Sequence, residues 1–268
     1  MNIVAEIMIA SLGADSSRDL DRYCHALSVA CNAAPPPFGT RRYGEIYRTV
    51  ASDPSWLAAS LITSAEREAD GATRLWSLAA CTPDVEISAF VKQHAIDEAR
   101  HARWYIALLD IVFPGAVDES LRPHLDAVSP RYSAKMTPEP VDGSPFAYAM
   151  TMDDFVQSNI AEIRTAINHR LQRPVLMAHC PRSRHNKLTP LLERLLGDEV
   201  RHIKYTAGLI ERFAKQDGAD SLAELMTLRV RDFNEITCEE VEQGVFPLHC
   251  SREECRLAAA CTQDAVEG

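Results

Sequence analysis

The chain has 268 residues, of which 46% are hydrophobic and 25% are charged, and its formal net charge is −10. This composition is typical of a globular protein with a sizeable core, and the acidic balance argues against a nucleic-acid backbone or an anionic membrane surface as the main partner. No apolar run is long enough to cross a bilayer, and the N-terminal segment lacks the basic flank of a signal peptide. We therefore expect a cytoplasmic protein with no nucleic-acid or membrane partner.

The eight cysteines form no Cys-x-x-Cys pair, and a chain of this length does not need disulfides to stabilise its core. Reduced thiols are therefore expected. A C-terminal cluster of His249, Cys250, Cys255 and Cys261 offers metal-ligand atoms, but its spacing fits no zinc module, so a metal site there is the less favoured interpretation.

Residues 1–55 predict two short helices and a loop that form an N-terminal extension. Ser16 or Ser17 is expected near the cap of a helix that runs to about Ala33, where three consecutive prolines and Gly39 end it. Nothing in this segment indicates catalytic chemistry.

Longer helices are predicted after Asp53-Pro54, a pair typical of a helix start. A short link makes the first two antiparallel neighbours. Residues 114–145 contain six prolines, so they cannot form a long helix but can cross the length of a bundle. Because no pattern of period two persists, the chain is predicted to be all-α. The first three of these helices are predicted at 56–80, 85–113 and 146–172. The fourth is predicted to start between 186 and 191 and to end at 215, and a fifth covers 221–243. The chain is thus predicted to consist of an N-terminal extension (1–55), a four-helix bundle (56–216), and a C-terminal helix and tail packed on the bundle (217–268).

One short motif occurs twice inside these helices, as Asp97-Glu98-Ala99-Arg100-His101 and as Asp198-Glu199-Val200-Arg201-His202. A spacing of three places a Glu and a His on one helical face, so that both side chains can bind one metal ion. A single Glu-x-x-His commonly marks a solvated helix face. Two copies in apolar-periodic helices indicate two metal ions held between facing helices.

Each remaining long helix is expected to add one Glu to such a site. On the first, Glu68 lies on the apolar face of the helical wheel and Glu66 on the polar face. On the third, Glu162 is the most central carboxylate and is favoured over Asp154 and over a structural role. Four carboxylates balance two divalent ions, and mixed oxygen and imidazole ligands suit iron or manganese.

This ligand pattern resembles that of the ferritin-like superfamily of carboxylate-bridged diiron proteins, and the match covers residues 56–216. The resemblance implies a ferritin-like four-helix bundle with additional N- and C-terminal helices, two iron ions (Fe/Fe, with Mn/Fe as the alternative), and O2 as a reactant. It also implies that Asp97 and Asp198 each hydrogen-bond a ligand His of the opposite helix. The implied metal ligands are Glu68, Glu98, His101, Glu162, Glu199 and His202.

Three further residues are candidates for the site. His94 precedes Glu98 by one turn, and diiron N-oxygenases of aryl amines carry a third His in this relation to a motif Glu. In those enzymes the third His accompanies the later motif, where this chain has Leu195. His94 is therefore either a metal ligand or a residue of the core. Tyr105 corresponds to the radical tyrosine of the small subunit of ribonucleotide reductase, or is a core residue. His169, two turns past Glu162, is expected to line the substrate pocket or to belong to the core.

The expected function is that of a non-haem diiron oxygenase or oxidase that uses O2 to hydroxylate, N-oxygenate, desaturate or cleave a small organic substrate. The chain has no flavin or nicotinamide fingerprint, so an external electron donor is expected unless the substrate supplies the electrons. A homodimer is an open expectation. The alternatives are ferroxidase and iron storage, a radical-generating subunit, and a scaffold without metal.

Overall fold

The computed structural model describes residues 1–13, 19–217 and 219–242. In this part of the chain every regular element is a helix and none is a strand, which confirms the all-α prediction. The chain divides into two compact units. Unit 1 contains Met1–Ser52, Met152–Gln172 and the described chain from Glu199 onward, and unit 2 contains Asp53–Thr151 and Arg173–Asp198.

The helices of the described residues are numbered here in chain order. They are α1 (Ile3–Leu12), α2 (Asp21–Ala33), α3 (Arg41–Val50), α4 (Pro54–Cys81), α5 (Val85–Val112), α6 (Arg122–Ala127), α7 (Met152–His179), α8 (His185–Asp217) and α9 (Ala219–Glu242). Short 3-10 turns occupy Pro37–Gly39 and Arg182–Arg184. None of the described helices is both long and apolar enough to cross a membrane.

Helices α4 and α5 are the long packed pair of unit 2. Each begins at an aspartate cap: Asp53 accepts a hydrogen bond from the backbone of Ser55 at 2.8 Å, and Asp84 accepts one from Ile87 at 3.0 Å. Only three residues link the helices, and the Ser88 hydroxyl donates to the Ala79 carbonyl across that link at 2.8 Å. The predicted antiparallel neighbours are therefore confirmed.

The proline-rich stretch after α5 contains one short helix, α6, and no long one, which agrees with the prediction from its prolines. It follows the surface of α4, because Tyr132 stacks on Trp76 with ring centroids 4.1 Å apart and the Val141 amide donates to the Ser77 hydroxyl at 3.1 Å. Ser77 lies on the same polar face of the α4 helical wheel as Glu66, yet it is fully buried. A helical wheel carries no information about another segment of the chain that covers the helix.

The described residues of the N-terminal segment form three α-helices, whereas the sequence predicts two for residues 1–55. Helix α2 ends at Ala33 as expected, whereas the suggested caps Ser16 and Ser17 lie outside the described residues. The additional helix, α3, is capped by Thr40, whose hydroxyl accepts a hydrogen bond from the Tyr43 backbone amide at 3.2 Å. Its apolar face is buried, and burial of that face is the stabilising contribution that a short helix needs.

Two prolines lie inside helices where the sequence predicts a loop. Helix α7 continues through Pro174 to His179, and α8 begins at His185 and includes Pro190. A proline in a helix interior costs about 3 kcal/mol because it removes one hydrogen bond and crowds the preceding turn. The flanking Leu176 and Leu188 are both fully buried, and this burial offsets much of the cost. Helix α7 also starts at Met152 rather than at residue 146.

A buried polar network joins three helices of unit 1. The Tyr23 hydroxyl donates to Asn159 Oδ1 at 2.9 Å, and the Asn159 amide donates to the Ile203 carbonyl and to the Thr206 hydroxyl. The Glu211 carboxylate accepts from the Tyr23 backbone amide at 2.9 Å. Because each of these bonds satisfies a buried polar group, the network fixes α2, α7 and α8 in one arrangement within the unit.

Candidate metal centre

The first half-site lies in unit 2, where α4 supplies Glu68 and α5 supplies Glu98 and His101. The Nδ1 atom of His101 is 3.6 Å from Glu68 Oε2 and 3.6 Å from Glu98 Oε1. All three residues are buried, whereas Glu66 is exposed, so the wheel assigns the two glutamates of α4 correctly. We call Glu68, Glu98 and His101 half-site A.

The second half-site lies in unit 1 and repeats this geometry with residues of α7 and α8. The Nδ1 atom of His202 is 3.6 Å from Glu162 Oε2 and 3.7 Å from Glu199 Oε2. Glu162 is 9% exposed and the other two residues are 1% exposed. We call Glu162, Glu199 and His202 half-site B.

These N···O distances fit the spacing between ligands of one metal ion. They exceed the length of a good hydrogen bond. Two donor atoms that each lie about 2.1 Å from a shared divalent ion are separated by at most about 4.2 Å. Two carboxylates buried beside one imidazole carry a negative charge that is costly without a cation. The chain therefore has buried Glu and His groups that could bind metal ions, and their oxygen and nitrogen donors suit iron or manganese.

The imidazole of half-site A is oriented by a residue of α8. His101 Nε2 lies 3.1 Å from Asp198 Oδ2, and it donates because an ionised carboxylate only accepts. This bond leaves Nδ1 directed toward the two glutamates. Burial lowers the pKa of His101, but the contacts with Asp198 and Glu68 outweigh burial and raise it above its usual value. The hydrogen bond expected from Asp198 is confirmed, and the corresponding bond of Asp97 stays a prediction.

Arg100 links the aspartates of the two motifs. Its Nη2 atom donates to Asp97 Oδ1 at 2.6 Å and to Asp198 Oδ2 at 2.7 Å, and its guanidinium lies over the Trp104 ring at 4.9 Å. Sequence reasoning missed this residue. The available signal was the repeat itself, since an Arg immediately precedes the His in both motifs.

His94 lies against the coordinating side of half-site A. Its Nε2 atom is 3.2 Å from Glu98 Oε1, the oxygen that also faces Nδ1 of His101. Glu98 Oε1 therefore lies near nitrogen atoms of two imidazoles, and His94 is only 1% exposed. Leu195, which occupies the corresponding position before the second motif, is fully buried. A ligand role for His94 stays a prediction that this geometry favours.

His169 contacts half-site B in a different way. Its Nε2 atom lies 3.3 Å from Glu199 Oε1, whereas the other oxygen of this carboxylate faces His202. His169 thus donates to the side of Glu199 that does not face His202, and holds the carboxylate in one orientation. The sequence placed His169 on the same helical face as Glu162, but it gave no sign of the contact with Glu199.

Tyr105 is 2% exposed and lies one turn past His101, and its redox role stays a prediction.

The five described cysteines are free thiols and take no part in either half-site. The cluster from His249 to Cys261 lies outside the described residues.

Comparisons of the chain with models of protein families, with curated proteins and with solved structures return no significant match. The resemblance to the ferritin-like superfamily therefore stays a prediction that the site residues carry.

Proposed function

We propose that half-sites A and B each hold one of two iron ions and that the chain is an O2-dependent oxidoreductase, an oxygenase or oxidase of a small organic substrate. The observation that supports this proposal is the repeat of one arrangement, two buried carboxylates around a His Nδ1, in both halves of the chain. The four glutamates carry about −4 in total, which balances two divalent ions. Two ferrous ions, when bound, supply electrons that reduce O2.

The protein groups would hold the ions and keep water away from them. Glu68, Glu98 and His101 would hold one ion, and the three residues of half-site B would hold the other. Fully buried apolar side chains precede or follow the motifs, among them Val91 and Ile203. Such surroundings lower the local dielectric and exclude water, which protects a reactive oxidant and favours its reaction with a bound substrate. An external electron donor completes the cycle of an oxygenase.

Anaerobic loading with Fe(II) tests the proposal directly. We expect two irons per chain by elemental analysis and rapid O2 consumption once air is admitted. Glu68→Gln should lower the iron content and abolish O2 consumption, because the amide is a weaker and uncharged ligand. Glu66→Gln, two residues away on the exposed face of the same helix, is the matched control and should change neither quantity.

The same experiment separates the proposal from its main competitor. Iron storage predicts that oxidised iron accumulates far beyond two atoms per chain in repeated additions. An oxygenase retains two irons and consumes further O2 only with a reductant and a substrate. Iron content below one atom per chain in the unsubstituted protein would show that the half-sites do not form a diiron centre.

A further inference from the structure

A pocket of about 340 Å³ lies in unit 2, apart from the residues of half-site A. It opens between the outer face of α5 and the proline-rich stretch that follows, and its lining residues are Arg103, Asp126, Ser129, Arg131 and Tyr132. We call it the arginine pocket. None of these side chains has a part in the proposed metal chemistry.

The guanidinium of Arg103 is held in place by neutral oxygens. Its Nη1 atom donates to the Ser129 hydroxyl at 2.8 Å and more weakly to the Pro130 carbonyl at 3.4 Å. The Ser129 hydroxyl in turn donates to the backbone carbonyl of Ala99 on α5. This chain of bonds orients the guanidinium without neutralising it, and its other N–H groups remain available to an acceptor.

Positive charge is concentrated at this pocket although the whole chain carries −10. The guanidiniums of Arg103 and Arg131 both line the pocket and both carry a positive charge, so they repel one another. Arg100 is compensated by its two aspartates, whereas the pocket lining contains two arginines and the single carboxylate of Asp126. An anion placed between Arg103 and Arg131 would relieve the repulsion.

The pocket lining also includes an aromatic residue, Tyr132, whose ring stacks on Trp76 with an interplanar angle of 1°. Forked guanidinium donors match the two oxygens of a carboxylate or a phosphate, and an aromatic side chain beside them favours a ligand that also has a planar apolar group. We propose that the arginine pocket binds a small organic oxyanion, a carboxylate or a phosphate monoester, between Arg103 and Arg131 and against Tyr132.

Titration of the full chain with benzoate, phenyl phosphate and inorganic phosphate tests this site. Binding is followed by calorimetry and by the fluorescence of Trp76, whose stacking on Tyr132 makes it a reporter of the pocket. We expect saturable 1:1 binding of at least one aryl oxyanion in metal-free protein, which separates this site from the metal centre. Tighter binding of benzoate assigns a carboxylate ligand, and tighter binding of phenyl phosphate assigns a phosphate ester.

Three variants decide whether the anion binds in the pocket or is attracted by the general charge of the surface. Arg131→Gln should weaken binding about tenfold or more, because it removes a charged donor, and the fold should be kept because the side chain is exposed. Asp126→Asn should tighten binding, because it removes the like charge. Lys187→Gln removes the same charge from another exposed position of unit 2 and should leave the affinity unchanged.

Two results would overturn the proposal. One is equal weakening by Arg131→Gln and Lys187→Gln, which would indicate general electrostatic attraction. The other is the absence of saturation by any of the three probes up to roughly 10 mM, well above the range of a specific small-molecule site. Circular dichroism of each variant checks the fold, and Arg103→Lys, which keeps the charge but loses the fork, should also weaken binding.

Discussion

Glu199 is the residue of the candidate centre whose two carboxylate oxygens have different neighbours. Oε2 faces the Nδ1 atom of His202, and Oε1 lies 3.3 Å from Nε2 of His169. A carboxylate that is held on one side cannot rotate away from the metal on the other side. Hydrogen bonds to a ligand from neighbouring residues commonly change metal affinity by about 10- to 100-fold.

We therefore expect His169→Phe to weaken Fe(II) binding by about 10- to 100-fold in competition with a chelator. His169→Gln, which keeps an N–H donor, should recover part of that loss. His124→Phe, at an exposed position of α6, serves as the control. Equal loss in the Phe and Gln variants of His169 would contradict a positioning role and favour direct coordination.

The buried hydroxyl of Tyr23 should make stability depend on alkaline pH. Burial raises the pKa of Tyr23 far above its usual value, and the hydrogen bond to Asn159 offsets only part of this effect. The unfolded chain then releases a proton near pH 10 while the folded chain retains it. The stabilisation is fully present below pH 10 and is lost above it, by about 1.4 kcal/mol per pH unit for one such group.

Urea unfolding between pH 9 and 11 measures how steeply the free energy of unfolding falls with pH. Tyr23→Phe should lower the stability at neutral pH because Asn159 loses a partner, but it should make the decline above pH 10 shallower. Part of the slope remains in the variant, because burial also raises the pKa of Tyr47. An unchanged slope would show that Tyr23 ionises as readily in the folded as in the unfolded chain.

At the scale of the helices, the elements that carry local signals were predictable and those that depend on tertiary burial were not. Asp53 and Asp84 mark the starts of α4 and α5, and the helical wheel placed Glu68 inward. The passage of α7 through Pro174 was not predictable, because burial of the flanking residues overrides a strong local signal. The contact between His169 and Glu199 joins residues of two helices, and no periodicity encodes such a pair.

The cap of α5 provides a test of local stability. Asp84→Ala removes the acceptor for the Ile87 amide and should cost about 1 kcal/mol of the free energy of unfolding. For a chain of this size the melting temperature should fall by about 2–4 °C. Asp84→Asn keeps a capping oxygen and should change the melting temperature little. Equal destabilisation by both variants would assign the effect to lost charge rather than to capping.

On the scale of the whole molecule, each unit contains one half-site. If each half-site binds an ion, Fe(II) should protect the amides around Glu98–His101 and those around Glu199–His202. Hydrogen exchange read by mass spectrometry measures both segments in a single titration. In His101→Ala the protection of the first segment should decrease, whereas Lys187→Gln should behave as the unsubstituted protein does. Protection confined to one segment in the unsubstituted protein would show that only one half-site binds iron.

The two units are completed at different times during synthesis, because each combines segments that are distant in the sequence. Unit 2 draws on no residue beyond Asp198, whereas unit 1 combines Met1–Ser52 with chain that begins at Glu199. At translation rates of 5–20 residues per second, a ribosome needs on the order of ten seconds to synthesise the chain between Ser52 and Glu199. During that time the nascent α1–α3 present Met8, Leu27 and Tyr47, all buried in the finished protein, without the helices that belong beside them. Helices α1–α3 are therefore the segment for which a chaperone that works at the ribosome would matter most.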